Sequence, residues 1–116
     1  MLYWGHIMNK IIYEKLKEVA RNQSTITYGE VGSLVGLDME DPSQRNDLAN
    51  LLGEISTYEY ENDRPLLSMV VVHSEDRTPG KGVFNLARQL GAQKPDEEDI
   101  IFFAKELIRV HQHWKA

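Results

Sequence analysis

The stretch Thr25-Ile26-Thr27-Tyr28-Gly29-Glu30-Val31-Gly32-Ser33-Leu34-Val35-Gly36 decides how the rest of the chain is read. Thr27 stands three residues before Glu30, the spacing of a capping box. There the two side chains satisfy orphan backbone donors at a helix start. Val31, Leu34 and Val35 then give one short apolar face, and Gly36 can close the helix in the left-handed region. The pattern predicts a helix over roughly 28–35, with 25–27 as a short extended lead-in.

Downstream, 37–42 is an acidic connection, and Pro42 or Ser43 opens a third helix. Leu48, Leu51, Leu52 and Ile55 fall at i, i+3, i+4, i+7, a core stripe. That leaves Arg45, Asn46, Asn50 and Glu54 at its margins or outside. The polar piece Glu59 to Arg64 is expected to be a loop, since Pro65 blocks any helix crossing it. Leu66 to Val72 ends in β-branched residues without clean alternation, which predicts a strand covered on both faces. Ser74 to Gly82 is turn chemistry, with Pro79-Gly80-Lys81-Gly82 as a flexible wing tip. Val83 to Leu90 reads as an amphipathic helix, with Val83, Leu86, Ala87 and Leu90 inward and Gly91 as its stop.

After the hinge Lys94-Pro95, Asp96 to Asp99 place negative charge where the start of a helix favours it. Ile100, Phe103, Ala104, Leu107, Ile108 and His111 then form one stripe. This C-terminal helix (95–115) is expected to dock onto the domain or to make a homodimer with a second copy. Upstream, Asn9 can cap a helix over 10–21, with Ile11, Ile12, Leu16, Val19 and Ala20 on its buried side. Helix, turn, helix, strand in this order predicts an α+β, mostly α fold. Its expected form is a winged helix-turn-helix with a short strand pair and an added C-terminal helix.

At 116 residues the chain is one domain, 1–116, large enough for a real core. Its 41% apolar and 27% charged residues are ordinary globular composition, with no low-complexity tract and no internal repeat. There is no cysteine, which excludes disulfides, thiolate zinc sites and cysteine nucleophiles. Met1 to Ile7 is apolar but too short for a signal peptide or a membrane span. Met8 is an alternative start, which would make 1–7 an upstream extension. A cytoplasmic protein with no membrane partner is the expectation.

Charge bears on partners. The net charge is −5, whereas nucleic-acid binders draw affinity from neutralised phosphates and are usually basic. From Asp38 to Asp63 there are Asp38, Glu40, Asp41, Asp47, Glu54, Glu59, Glu61 and Asp63 against Arg45 alone. Such a surface repels a duplex lying along it and suits a basic protein partner.

Several residues nonetheless fall in a known order. Thr27-Tyr28-Gly29 opens a helix that runs to Gly36. Arg45 opens the next helix, Asn62-Asp63-Arg64-Pro65 precedes the aliphatic strand, and a Gly-rich turn with a Leu-containing helix follows. This half of the chain resembles the DNA-binding domain of alkylguanine-DNA alkyltransferases and of the alkyltransferase-like proteins that lack their cysteine. The resemblance implies a winged helix in which Arg45 enters the base stack and Tyr28 clamps a phosphate. The family's Pro-Cys-His-Arg is missing here. Val70, or Ser68 if the match slides by two, stands at the nucleophile's place, and neither accepts an alkyl group as a thiolate does. The connections on both sides of Arg45 are also longer than the family's.

Plainer readings stand beside these. A first-turn Tyr28 packs its ring on the core edge with the hydroxyl wet. Arg45 pairs with Asp41 four residues earlier. Lys81 and Arg77 sit on a solvated loop. Gly80 and Gly82 fit a turn better than a phosphate cradle.

Catalytic constellations are absent from the pattern. Ser68 and His73, five apart on an expected strand, point to opposite faces and make no dyad. His6, His111 and His113 could suggest a metal, but positions 111 and 113 of a helix diverge by roughly 200°. Glu97, Glu98 and Asp99 cap a helix. No enzyme activity, cofactor or metal is expected.

Two readings follow. One is a non-catalytic nucleic-acid-binding winged helix contacting duplex DNA through Tyr28, Arg45, Asn46, Asn50, Arg77 and Lys81. The other is an acidic protein-interaction module of the antitoxin or immunity type. It would bind a basic partner through Glu54, Glu59, Glu61 and Asp63.

Overall fold

A computed structural model describes residues 9–115. The extension expected at 1–7, His6 included, lies outside the described residues. The elements run α1 (Lys10–Arg21), β1 (Ile26–Thr27), α2 (Tyr28–Leu34), α3 (Pro42–Glu61), a 3-10 turn (Leu67–Val70), β2 (Val71–Val72), α4 (Lys81–Leu90) and α5 (Asp99–Trp114). The architecture is α+β and mostly α. β1 and β2 pair in parallel, with Ile26 opposite Val71 and Thr27 opposite Val72. A parallel pair needs a long crossover, and α2, α3 and the 3-10 turn supply it.

The local signals at the first two helices hold. Asn9 Oδ1 accepts from the Ile12 amide at 2.9 Å and caps α1. Thr27 and Glu30 make both halves of the capping box. Val35 ends α2, Gly36 adopts φ +73°, and the Leu37 amide returns to the Gly32 carbonyl at 2.9 Å. Asp41 caps α3 through the Ser43 amide, with Pro42 as the first helical residue.

The centre of the molecule is 66–72, and every residue in it is buried. The expected strand is mostly a 3-10 turn enclosed by α1, α3 and α5, with only Val71 and Val72 extended. Its backbone explains the difference. The Leu66 amide donates to Glu106 of α5 at 2.9 Å, and the Ser68 amide donates to the Ser56 hydroxyl of α3 at 3.1 Å. Side chains of two helices thus take donors that a ladder would otherwise use.

Other expectations are corrected. α3 does not stop before Glu59 but runs to Glu61, because Glu59 continues the inward line of Leu48, Leu52 and Ile55. Ile11 is exposed, and α1 buries Ile12, Leu16, Val19 and Ala20. α4 begins at Lys81, not Val83, and buries Phe84 with Ala87. α5 buries Phe102, Glu106 and Val110. Of the expected stripe, Phe103 and Leu107 pack against the core, whereas Ile100, Ala104 and Ile108 face away from it.

Candidate functional site

Tyr28 is the first residue of α2, and its hydroxyl accepts a 2.8 Å hydrogen bond from the Gly80 amide. Gly80 is the N-cap of α4, which no side chain caps. The Tyr28 ring lies 4.7 Å from the His73 ring, tilted by 38°. A Cβ at position 80 would stand 3.3 Å from the Tyr28 hydroxyl and 3.4 Å from His73 Nε2, so glycine permits this approach. Burial pushes the Tyr28 hydroxyl above its ordinary pKa, and the Gly80 amide pulls it partly back. The wet hydroxyl expected for Tyr28 is corrected: the backbone of α4 takes it.

The loop between β2 and α4 is a tight turn instead of a flexible wing tip. The His73 amide donates to the Thr78 carbonyl, and the Arg77 amide donates to the His73 carbonyl. Asp76 Oδ1 accepts from both the amide and the hydroxyl of Thr78, and these bonds hold its carboxyl below the usual range. Arg77 adopts φ +57° and its guanidinium donates to the Thr25 hydroxyl at 2.6 Å. Thr25 lies two residues before the capping box of α2. Tyr28, His73, Arg77, Gly80 and the exposed Lys81 therefore share one corner of the molecule.

Arg45, Asn46 and Asn50 are exposed on α3. The Arg45 guanidinium donates to the Met39 carbonyl at 2.9 Å, a partner the sequence did not suggest. In sequence it is flanked by Asp38, Glu40, Asp41 and Asp47. Asn50 and Asp47, with Asn9, Val35, Leu37 and Leu51, line a shallow open pocket between α3, the turn after α2 and the start of α1. Its lining is mixed, with apolar Val35, Leu37 and Leu51 beside polar Asn9, Asn50 and Asp47.

The acidic set divides. Glu59 is fully buried. It accepts from the Tyr13 hydroxyl at 2.8 Å and from Arg64 at 2.8 and 3.1 Å, so it cannot meet a partner protein. Glu61 and Asp63 are exposed. Glu54 is half-buried, its Oε1 has no hydrogen-bond partner, and burial raises its pKa. The signal for Glu59 was present in the sequence, seven residues after Leu52 and four after Ile55. His73 gave no such signal.

Val70 and Ser68, at the place of the family's nucleophile, are both buried. Ser68 Oγ lies 2.6 Å from Ser56 Oγ. His73 lies on Tyr28 instead, so Ser68 and His73 do not form a pair. Asn62 is the C-cap of α3, and its Nδ2 donates to the Tyr58 carbonyl at 2.9 Å.

Comparison with protein-family models, with characterised proteins and with solved structures returns no match. No helix among the described residues is long and apolar enough to cross a membrane.

Proposed function

We propose that the chain is a non-catalytic nucleic-acid-binding domain of winged-helix-turn-helix type, related in plan to alkyltransferase-like proteins. The observation that carries the reading is the Tyr28–Gly80 hydrogen bond. It fixes the uncapped start of α4 beside Arg77, Lys81 and His73. Free backbone amides and the positive end of a helix dipole suit a phosphate, and two cations next to them add to that field. The contact surface is this corner. The α3 face is less suitable, because Arg45 is flanked in sequence by Asp38, Glu40, Asp41 and Asp47. The order of Thr27-Tyr28-Gly29, Arg45 and Asn62-x-x-Pro65 supports the plan, and the lack of cysteine removes alkyl transfer from it.

A labelled duplex titrated by fluorescence anisotropy tests this. With two or three phosphates neutralised, affinity should fall at least tenfold, roughly, between 50 and 200 mM salt. Lys81→Ala and Arg77→Ala should each reduce the salt slope by about one. No binding at low salt, to plain duplex or to duplex carrying an alkylated guanine, ends the reading.

One observation favours a second reading. Asp47, Glu54 and Glu61 recur every seventh residue of α3 and so fall along one line of the helix. With Asp63 they form an acidic strip that suits a basic protein partner, as in a module of the antitoxin or immunity type. Pull-down of such a partner, lost on neutralising Glu54, Glu61 and Asp63, would support it over the first.

A further inference from the structure

The outward face of α5 carries large apolar side chains that the other described residues leave uncovered. Ile100, Ile101 and Ile108 are 57%, 50% and 57% exposed. Ile101, Ala104 and Ile108 follow i, i+3, i+7 and make one seam, opposite the buried Phe102, Glu106 and Val110. Scattered exposed apolar residues need no explanation, but three isoleucines on one face of one helix mark a contact surface.

Charge selects what covers it. The chain at the N-terminal end of α5 carries exposed Asp96 and Glu98, and the C-terminal end carries exposed His113 and Lys115, while Arg109 is already paired with Glu106 of its own helix. A parallel copy of the same helix would set acid on acid, base on base and like dipole ends together. An antiparallel copy sets Asp96 and Glu98 across from Lys115, with the dipoles opposed. Ala104, midway between the seam's isoleucines, is the smallest side chain and allows the closest approach where two helices cross.

We infer that α5 pairs antiparallel with α5 of a second copy of this chain about a two-fold axis near Ala104, Ile101 of each copy meeting Ile108 of the other. Such an isologous contact closes at two. The 16 residues of α5 span about 24 Å, which gives less surface than the ~800 Å² per partner of a standard stable complex. The dimer is therefore concentration-dependent.

Light scattering coupled to gel filtration, from about 1 μM to about 1 mM protein, measures it. The mass should climb from one chain toward two across that range. Ile101→Glu and Ile108→Glu should each weaken association at least tenfold, with circular dichroism unchanged because both sites are exposed. Glu98→Lys or Lys115→Glu alone should weaken it, and the two together should restore it. The chain has no cysteine, so added thiols report geometry cleanly. Ala104→Cys should give a disulfide-linked dimer on mild oxidation, and Gln112→Cys, two turns from the axis, should not. A monomer at every concentration overturns the inference, whatever else that face then binds. Cross-linking by Gln112→Cys without Ala104→Cys overturns the antiparallel arrangement.

Discussion

The Tyr28 hydroxyl receives the Gly80 amide across 52 residues of sequence, and this bond joins the start of α2 to the start of α4. Removing the hydroxyl strands a part-buried amide with no acceptor. Tyr28→Phe should therefore cost about 1–3 kcal/mol, more than an average neutral hydrogen bond, because the lone donor keeps its desolvation penalty. Urea unfolding would show the midpoint falling with an unchanged slope. A midpoint equal to the wild type would mean that water replaces the hydroxyl at no cost.

Glu59 and Arg64 close the far end of α3. The carboxylate is wholly buried while the guanidinium side chain is about a quarter exposed, so the two partners are not equivalent. Arg64→Ala leaves a buried charge without its cation and should destabilise by about 3–5 kcal/mol. Replacing both residues, as Glu59→Gln with Arg64→Met, should recover a large part of that loss. Additivity of the two single changes in a double-mutant cycle would show that they do not act as a pair.

Tyr13 donates to the same carboxylate at 2.8 Å. Burial first, and then the bond and charge of Glu59, raise its pKa well above the ordinary value of 10.0. In the unfolded chain Tyr13 releases its proton near 10, whereas the folded protein keeps it. The stabilisation is full below that pH and is lost as pH rises from there toward the raised folded value. Thermal midpoints measured from about pH 8 to about pH 11 should fall more steeply for the wild type than for Tyr13→Phe. Parallel curves would show that the phenol titrates alike in both states.

The sequence made some of this legible because the signals were local. Asn9, the Thr27/Glu30 pair, Pro42, Gly36 and Gly91 act through their own neighbours, and each marks a boundary within a residue or so of where it falls. Packing choices were not local. Positions 100–104 read Ile-Ile-Phe-Phe-Ala, so periodicity alone could not choose a face. The buried Glu106 then argued against the true one. Leu66 to Val72 is apolar throughout, which fits a buried strand as well as a buried 3-10 turn, and its hydrogen bonds to Ser56 and Glu106 come from distant helices. The Tyr28 corner was half visible. Tyr28, Arg77 and Lys81 could be named singly, but His73 and the glycine that seats them depended on the fold.

The turn between α2 and α3 offers a contrast between two glycines of one helix. A Cβ at Gly32 would lie 3.1 Å from the Leu37 carbonyl oxygen and 3.1 Å from Met39 Cε, while at Gly29 the nearest neighbour is 4.0 Å away. Gly32→Ala should cost about 1–3 kcal/mol by overpacking against backbone that cannot move freely. Gly29→Ala should be neutral or gain up to about 1 kcal/mol of helix propensity. Equal effects in chemical denaturation would mean that the turn relaxes around the added methyl.

Charge on α3 separates the two functional readings. Asp47 is exposed near Arg45, and Glu54 lies two turns further along the same line. If nucleic acid binds at the Tyr28 corner, each carboxylate opposes it across the molecule. Two unit charges about 10 Å apart in water interact by about 0.4 kcal/mol, close to a factor of two, and salt screens them over a similar distance, so each carboxylate contributes at most about that much. Asp47→Asn with Glu54→Gln should then tighten duplex binding by a few-fold at low salt and leave the salt slope set by Lys81 and Arg77 intact. If the strip instead holds a basic protein, the same double change should weaken that complex, mainly through slower association. Tighter duplex binding with no loss of any protein complex would favour the nucleic-acid reading. Weakened protein capture with duplex binding absent throughout would reverse the order, because the only surface then answering to charge would be α3.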